Sequence, residues 1–104
     1  MKNYISAQEH WFGMYEKPEF PFYQSSKKFP IKDIKIDRPL MACSNEISPS
    51  DVLYMLMNFD KNAWMPITLN QDHYLLDGQH RLELARQMGL EYIDVIIQDT
   101  RLFQ

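Results

Sequence analysis

Residues 75–85 read LLDGQHRLELA, and this stretch says most about the fold of the chain. Two leucines indicate a strand, Asp77-Gly78 indicates a sharp turn, and the apolar spacing after it indicates a helix that begins at Gln79. The N–H groups of a first helical turn have no partner within the helix, and the dipole makes that end positive. An anion can therefore bind there. His80 and Arg81 add an imidazole and a permanent guanidinium, and the combination suits a phosphate group.

The pattern on both sides of this stretch predicts the element order β-α-β-β-α-β. Apolar, β-branched runs indicate strands, and helical periodicity with capping residues indicates helices. The expected elements are a strand over 31–37, a helix over 49–58, a hairpin of strands 65–69 and 74–76, a helix over 79–88, and a strand over 92–98.

Each predicted helix has a side expected to face the core. On the first helix the apolar positions at helical spacing are Val52, Leu53, Leu56 and Met57. On the second they are Leu82, Leu84, Ala85 and Met88, with Gly89 as the C-terminal cap.

Residues 1–30 are predicted to form an aromatic- and proline-rich N-terminal arm, followed by a domain over 31–104. Eight of the fourteen aromatic residues lie in the arm, and Pro18, Pro21 and Pro30 exclude a long helix. Burial of so many rings favours an arm that packs on its own domain. The alternative is an arm that contacts a protein partner or covers a pocket.

Composition narrows the functional classes. A chain of 104 residues, 45% hydrophobic, fits one small globular domain. The formal net charge of -3 gives no general affinity for nucleic acid. The single cysteine, Cys43, excludes an intrachain disulfide and fits a reducing compartment. With no signal pattern and no apolar run of membrane-spanning length, we expect a cytoplasmic protein without membrane contact.

Asp77, Gly78, Gln79, His80 and Arg81 are the candidate phosphate-binding residues. Gly78 allows a sharp bend and close approach of a ligand to the backbone, and Arg81 can hold two phosphate oxygens at once. His80 is a candidate acid or base, and Asp77 could hold a divalent ion bound to phosphate. The alternative is that these residues bind no ligand and form an ordinary Asp-Gly turn before the polar start of a helix. No metal site is predicted, since no histidine or carboxylate spacing matches a strong ligand motif.

Residues 31–98 resemble the ParB N-terminal/sulfiredoxin-like superfamily. The resemblance depends on the order of a first strand, a helix, a strand containing Pro66-Ile67, a tyrosine-led strand and a Gly-x-x-Arg element, here Gly78 to Arg81. Ala85 and Gly89 follow in the helix behind that element. The pentapeptide Asp77-Gly78-Gln79-His80-Arg81 is similar to the variant in stand-alone members.

The resemblance implies a compact α+β domain with a short mixed sheet, in which the Gly-x-x-Arg turn holds nucleotide phosphates. The nucleotide is ATP in sulfiredoxins, CTP in ParB partition proteins and ADP in a related free-serine kinase. The implied ligand is thus a nucleotide or another phosphate compound, with ATP, CTP or ADP and Mg²⁺ as the candidates. No haem, flavin or structural metal is implied.

Three departures limit what the resemblance implies about activity. Gln79 stands where sulfiredoxins have their reactive cysteine, which argues against sulfinic-acid reduction. No helix-turn-helix module follows before Gln104, which argues against sequence-specific DNA binding. The kinase role needs an acidic base before the first helix, for which Glu46 is the candidate. The expected function is a stand-alone nucleotide-binding domain that hydrolyses or transfers phosphate, or alternatively a non-catalytic protein-interaction module with a vestigial pocket, or a ParB-like nuclease.

Overall fold

The structure, a computed structural model, describes residues 3–13, 23–40 and 48–103. These residues form one four-stranded sheet with helices packed around it. The strands are β1 (Tyr23–Pro30), β2 (Ile67–Asn70), β3 (Leu75–Asp77) and β4 (Tyr92–Gln98), and the helices are α1 (Glu9–Gly13), α2 (Pro49–Met57) and α3 (Gln79–Gln87).

The sheet is mixed, with strand order β1-β4-β2-β3. Strand β4 lies in its interior, antiparallel to β1 and parallel to β2, and β3 pairs with β2 as the antiparallel hairpin. Helix α3 is the crossover that returns the chain from β3 to β4, as a parallel β2–β4 pair requires. The predicted α+β class and mixed sheet are confirmed.

The prediction of a first strand over 31–37 is wrong. Residues Ile31–Asp33 form a 3-10 helix, and in the rest of this stretch a single bridge joins Lys35 to Tyr74. Ile31 and Ile34 are both buried, and their spacing of three fits a helical turn rather than a strand. The first strand of the sheet in chain order is β1, whose residues lie within the predicted N-terminal arm.

Helix α2 has the predicted position, and Ser48 caps it by accepting a hydrogen bond from the Asp51 N–H at 3.4 Å. The predicted buried side is wrong. Only Val52 is fully buried, whereas Leu53 is 54% exposed and Met57 is 76% exposed. Leu56, at 38%, is also exposed. The buried side of α2 is set by its packing against α3, and an apolar residue type alone does not show which side is covered.

The hairpin, α3 and β4 confirm the sequence-based predictions. Leu82, Leu84 and Ala85 are buried on α3, and Gly89 ends the helix with a φ of +75°. The Leu90 N–H donates to the Ala85 carbonyl at 3.0 Å, the bond expected of a glycine C-terminal cap.

The described N-terminal residues, 3–13, pack on their own domain through a buried carboxylate in β4. Asp94 is completely buried and accepts three hydrogen bonds: from Tyr4 Oη at 2.6 Å, from the Ala7 N–H at 2.8 Å and from the Lys28 N–H at 3.0 Å. Burial, and then the hydrogen bond to Asp94, raises the pKa of Tyr4 to about 12. Asp94 therefore joins the N-terminal segment, β1 and β4.

Among the described residues, no helix has the length and apolar character needed to cross a membrane.

Candidate functional site

The turn between β3 and α3 requires glycine at position 78. Gly78 has a φ of +104°, and a Cβ there would lie 2.5 Å from Ile67 Cγ2 and 2.8 Å from Ile67 Cβ. The turn is thus pressed against β2 so closely that no side chain fits. Because Gly78 is the N-cap residue, no side chain of its own accepts from the first N–H groups of α3.

The first turn of α3 also has no acidic residue, so no carboxylate neutralises the positive end of the helix dipole from within that turn. A glycine cap and a first turn without acid are the arrangement in which an anion can approach the backbone N–H groups directly. The local geometry therefore has the features of an anion-binding helix start.

All five candidate residues from 77 to 81 line one open pocket of about 460 Å³. Three residues of α2 complete its wall: Asp51, Tyr54 and Met55. Sequence reasoning did not assign these three to the site. Their spacing of three and four residues places them on one side of a helix, but nothing in that pattern says which neighbour the side faces.

Arg81 contacts the backbone of the residue before β2 and also lines the pocket. Its Nη2 donates to the Pro66 carbonyl at 3.4 Å, and the same atom lies 3.0 Å from where a Cβ on residue 78 would stand. The guanidinium is half-buried, so its orientation is restrained by the protein before any ligand arrives.

His80 has a structural partner that the sequence did not indicate. Its Nε2 accepts a hydrogen bond from the Ser48 N–H at 3.3 Å, which ties the start of α2 to the start of α3. An accepting Nε2 places the proton of a neutral imidazole on Nδ1. Of the two ring nitrogens, Nδ1 is therefore the one that could donate to a ligand.

Two carboxylates lie on the pocket, and the other predicted acidic candidate lies outside the described residues. Asp77, at the end of β3, and Asp51, in the first turn of α2, are both exposed carboxylates on the pocket. Glu46 lies outside the described residues, as does Cys43. No group of three or more metal-binding side chains occurs within the described ranges.

No protein-family model matches the sequence, and no curated protein matches it. Solved structures do match, among them two ParB N-domains. The Pnob8-like ParB-N domain in its C2221 form gives a TM-score of 0.55 at 19% identity over 78% of this chain. The pNOB8-like ParB N-domain gives 0.56 at 18% identity over 77% of this chain. The fold is ParB-N-like.

The ParB-N-like chain spans about a third of the length of these two structures, 32% and 30% respectively. At such low identities the similarity concerns the fold alone. It confirms the ParB-N-like fold that the resemblance implied.

A smaller cavity of about 160 Å³ adjoins the pocket of this ParB-N-like domain. The two share Tyr54, Met55 and Arg81 as lining residues. Beyond Arg81, the smaller cavity is lined with the rings of Phe59 and Trp64, which meet edge to face with centroids 5.6 Å apart. A charged region is thus continuous with an aromatic one.

Proposed function

We propose that this ParB-N-like domain binds a nucleotide through its phosphate groups at the N-terminus of α3. The observation that supports this most directly is the start of α3. A glycine cap without a side chain and a first turn without acid meet the Arg81 guanidinium in one pocket. Backbone N–H groups and a guanidinium are the donors that phosphate oxygens accept best.

The ligand is a magnesium–nucleotide complex rather than the free nucleotide. Asp51 and Asp77 line the same pocket, and two carboxylates would repel an uncompensated phosphate. A Mg²⁺ ion bound to phosphate oxygens and to one or both carboxylates turns this repulsion into attraction. Asp77, directly before the turn, is the first candidate for the carboxylate ligand.

The nucleoside part extends into the adjoining aromatic cavity. Phe59 and Trp64 provide apolar surface there, and Arg81 borders both spaces. A flat base or a ribose that packs on such surface adds affinity that inorganic phosphate lacks. Nucleotides should therefore bind more tightly than phosphate alone.

Hydrolysis or transfer of phosphate is the catalytic extension of this proposal. Asp77 is the described carboxylate nearest the turn, and His80 presents its Nδ1 side to potential ligands because Nε2 holds Ser48. Release of inorganic phosphate from Mg²⁺–ATP or Mg²⁺–CTP, measured for the native protein and Asp77→Asn, separates a catalytic domain from one that only binds.

Calorimetry with ATP, CTP and ADP, with and without Mg²⁺, tests binding. Arg81→Ala should weaken the best ligand about tenfold to a hundredfold, the worth of one or two charge-assisted hydrogen bonds. Arg86→Ala is the matched control: it removes the same charge from the other end of α3, where Arg86 pairs with Glu83 at 3.9 Å. If no nucleotide binds below millimolar concentration, or if both variants behave alike, the proposal is wrong.

A folding control and a metal control complete the design. Arg81→Lys keeps the charge but loses the two-pronged geometry, so it should bind more weakly than the native protein while staying folded by circular dichroism. Asp77→Asn should reduce the gain in affinity that Mg²⁺ gives. An unchanged Mg²⁺ dependence in both Asp77→Asn and Asp51→Asn would contradict the role of the carboxylates.

A further inference from the structure

A second cleft lies where the N-terminal segment meets β1 and the segment after α2. It has a volume of about 670 Å³, within the usual range for small-molecule sites. Its described lining residues include two lysines, Lys28 and Lys61, two aromatic rings, Tyr4 and Phe59, and the polar side chains of Asn3 and Ser6.

The charge of this cleft is opposite to that of the protein as a whole. The chain has a formal net charge of -3, yet none of the described residues lining the cleft is acidic and two are lysines. Two acids adjoin it: Asp94 is buried and accepts its three hydrogen bonds from Tyr4, Ala7 and Lys28, and the exposed Glu91 accepts a hydrogen bond from Asn3 Nδ2 at 2.7 Å. The charged side chains that line the cleft itself are both cations, and an anion is the complementary ligand.

Lys28 is held in place by an unusual backbone. Its φ is +55°, a conformation that costs a residue other than glycine free energy. It lies in a bulge of β1, where the pairing with β4 shifts between Ser26 and Phe29. Bulges re-aim side chains, and here the Lys28 Nζ is positioned over the Tyr4 ring, 5.1 Å from its centroid.

The two rings form rigid walls. Tyr4 is fixed by the 2.6 Å hydrogen bond from its hydroxyl to Asp94. Phe59 is fixed by its edge-to-face contact with Trp64. A flat ligand could pack on such walls without ordering them first, so the cleft suits a ring as well as a charge.

We propose that this cleft, between Tyr4 and Phe59 and flanked by Lys28 and Lys61, is a second binding site that takes a small planar aromatic anion. The anionic group, a phosphate or a carboxylate, pairs with the lysines, and the ring packs on the aromatic walls. This site shares Phe59 with the smaller cavity beside the pocket at α3 but none of the residues that line that pocket itself, and it does not depend on the function proposed there.

Amide chemical shifts in ¹H–¹⁵N spectra test the proposal site by site. The probes are AMP, 4-hydroxybenzoate, adenosine and inorganic phosphate. AMP or 4-hydroxybenzoate should shift the amides of residues 3–6, 28 and 61 at millimolar concentration, whereas adenosine and inorganic phosphate should each bind at least about tenfold more weakly. The probe that binds more tightly identifies the anionic group. If neither planar anion moves these amides, or if phosphate alone binds as well, the proposal fails.

Lys28→Gly separates binding from folding. Glycine accepts the positive φ without strain, so the melting temperature should be unchanged or higher, while the affinity for the planar anion should fall about tenfold. Lys27→Ala is the control of equal charge, because Lys27 pairs with Glu9 and does not line the cleft. Lys61→Ala should weaken binding as Lys28→Gly does. Native affinity in both cleft variants, or an equal loss in Lys27→Ala, would overturn the assignment.

The Arg81→Ala variant distinguishes ligand binding at the second cleft from ligand binding at the pocket at α3. This variant should retain the shifts of the cleft amides with AMP and lose those of residues 79–81. Loss of both sets together would show a single site and would overturn the proposal.

Discussion

The three glycines of the chain provide an internal test of how tightly the turn before α3 is built. Gly78 has a φ of +104° and contacts Ile67, Gly89 has a φ of +75° with nothing within 4 Å of its missing Cβ, and Gly13 has neither a positive φ nor a close neighbour. Substitution of each by alanine thus separates conformational cost from steric cost.

The expected costs follow from this geometry. Gly13→Ala should change the free energy of unfolding by less than about 0.5 kcal/mol, as at most exposed positions. Gly89→Ala should lose about 1–2 kcal/mol, the cost of a left-handed conformation for an L-residue. Gly78→Ala has that cost and also the overlap of a methyl group with Ile67, about 1–3 kcal/mol more. We therefore expect about 2–5 kcal/mol for Gly78→Ala.

Equilibrium unfolding in urea measures all three variants under one condition, and the slope of each transition shows whether it stays two-state. In a domain of this size, about 1 kcal/mol corresponds to about 4–8 °C in melting temperature, so thermal scans should show the same order. A cost for Gly78→Ala no larger than that for Gly89→Ala would refute the close contact between the turn and Ile67. The extra cost of Gly78→Ala should be smaller in an Ile67→Leu background, since leucine has no Cγ2 methyl group on its Cβ.

Three further predictions concern the core and its helices. Asp94→Asn should lower the free energy of unfolding by about 3 kcal/mol in urea titrations. The reason is that the NH₂ group of asparagine would face an N–H or O–H donor that now donates to the Asp94 carboxylate. An unchanged free energy of unfolding would contradict these hydrogen bonds. Because the pKa of Tyr4 is raised from 10.0 to about 12, the folded state keeps a proton that the unfolded state loses between these values. Stability should thus fall as the pH rises through that window, and Tyr4→Phe should remove this part of the slope. Because Val52 is buried and Leu53 is exposed, Val52→Ala should lower the free energy of unfolding by about 2 kcal/mol and Leu53→Ala by less than about 0.5 kcal/mol. The reverse order would show that α2 packs through its other side.

The parts of the fold that the sequence predicts well are those whose signals are local. Strand β4 is a run of β-branched residues, and α3 has an Asp-Gly turn before it and Gly89 after it. In both cases the residues that decide the structure are next to one another in the chain. The five candidate residues lie together in one pocket for the same reason, since they form a single turn and the first turn of a helix.

The parts that the sequence predicts poorly depend on distant partners. Strand β1 contains Gln24-Ser25-Ser26-Lys27-Lys28, which has no apolar alternation, and it is a strand because β4 offers it an edge. The contribution of α2 to the pocket depends on the packing of α2 against α3. Asp94 is a carboxylate inside an apolar strand, and only the folded chain shows the donors that make its burial tolerable.

The two proposed sites depend on the same strand but on different contacts. At the middle of β4, Val95 pairs with Ser26 on one side and with Ile67 on the other. Ile67 supports the turn at Gly78, whereas the neighbouring Asp94 holds Tyr4 and Lys28 at the second cleft. Substitutions confined to one set should leave the ligand affinity of the other site unchanged, as is usual for separate sites. A substitution of Phe59, which lines both the second cleft and the cavity beside the first pocket, should weaken binding at both. Substitutions that disrupt β4 itself should weaken ligand binding at both sites. Both proposed sites thus depend on a single interior strand.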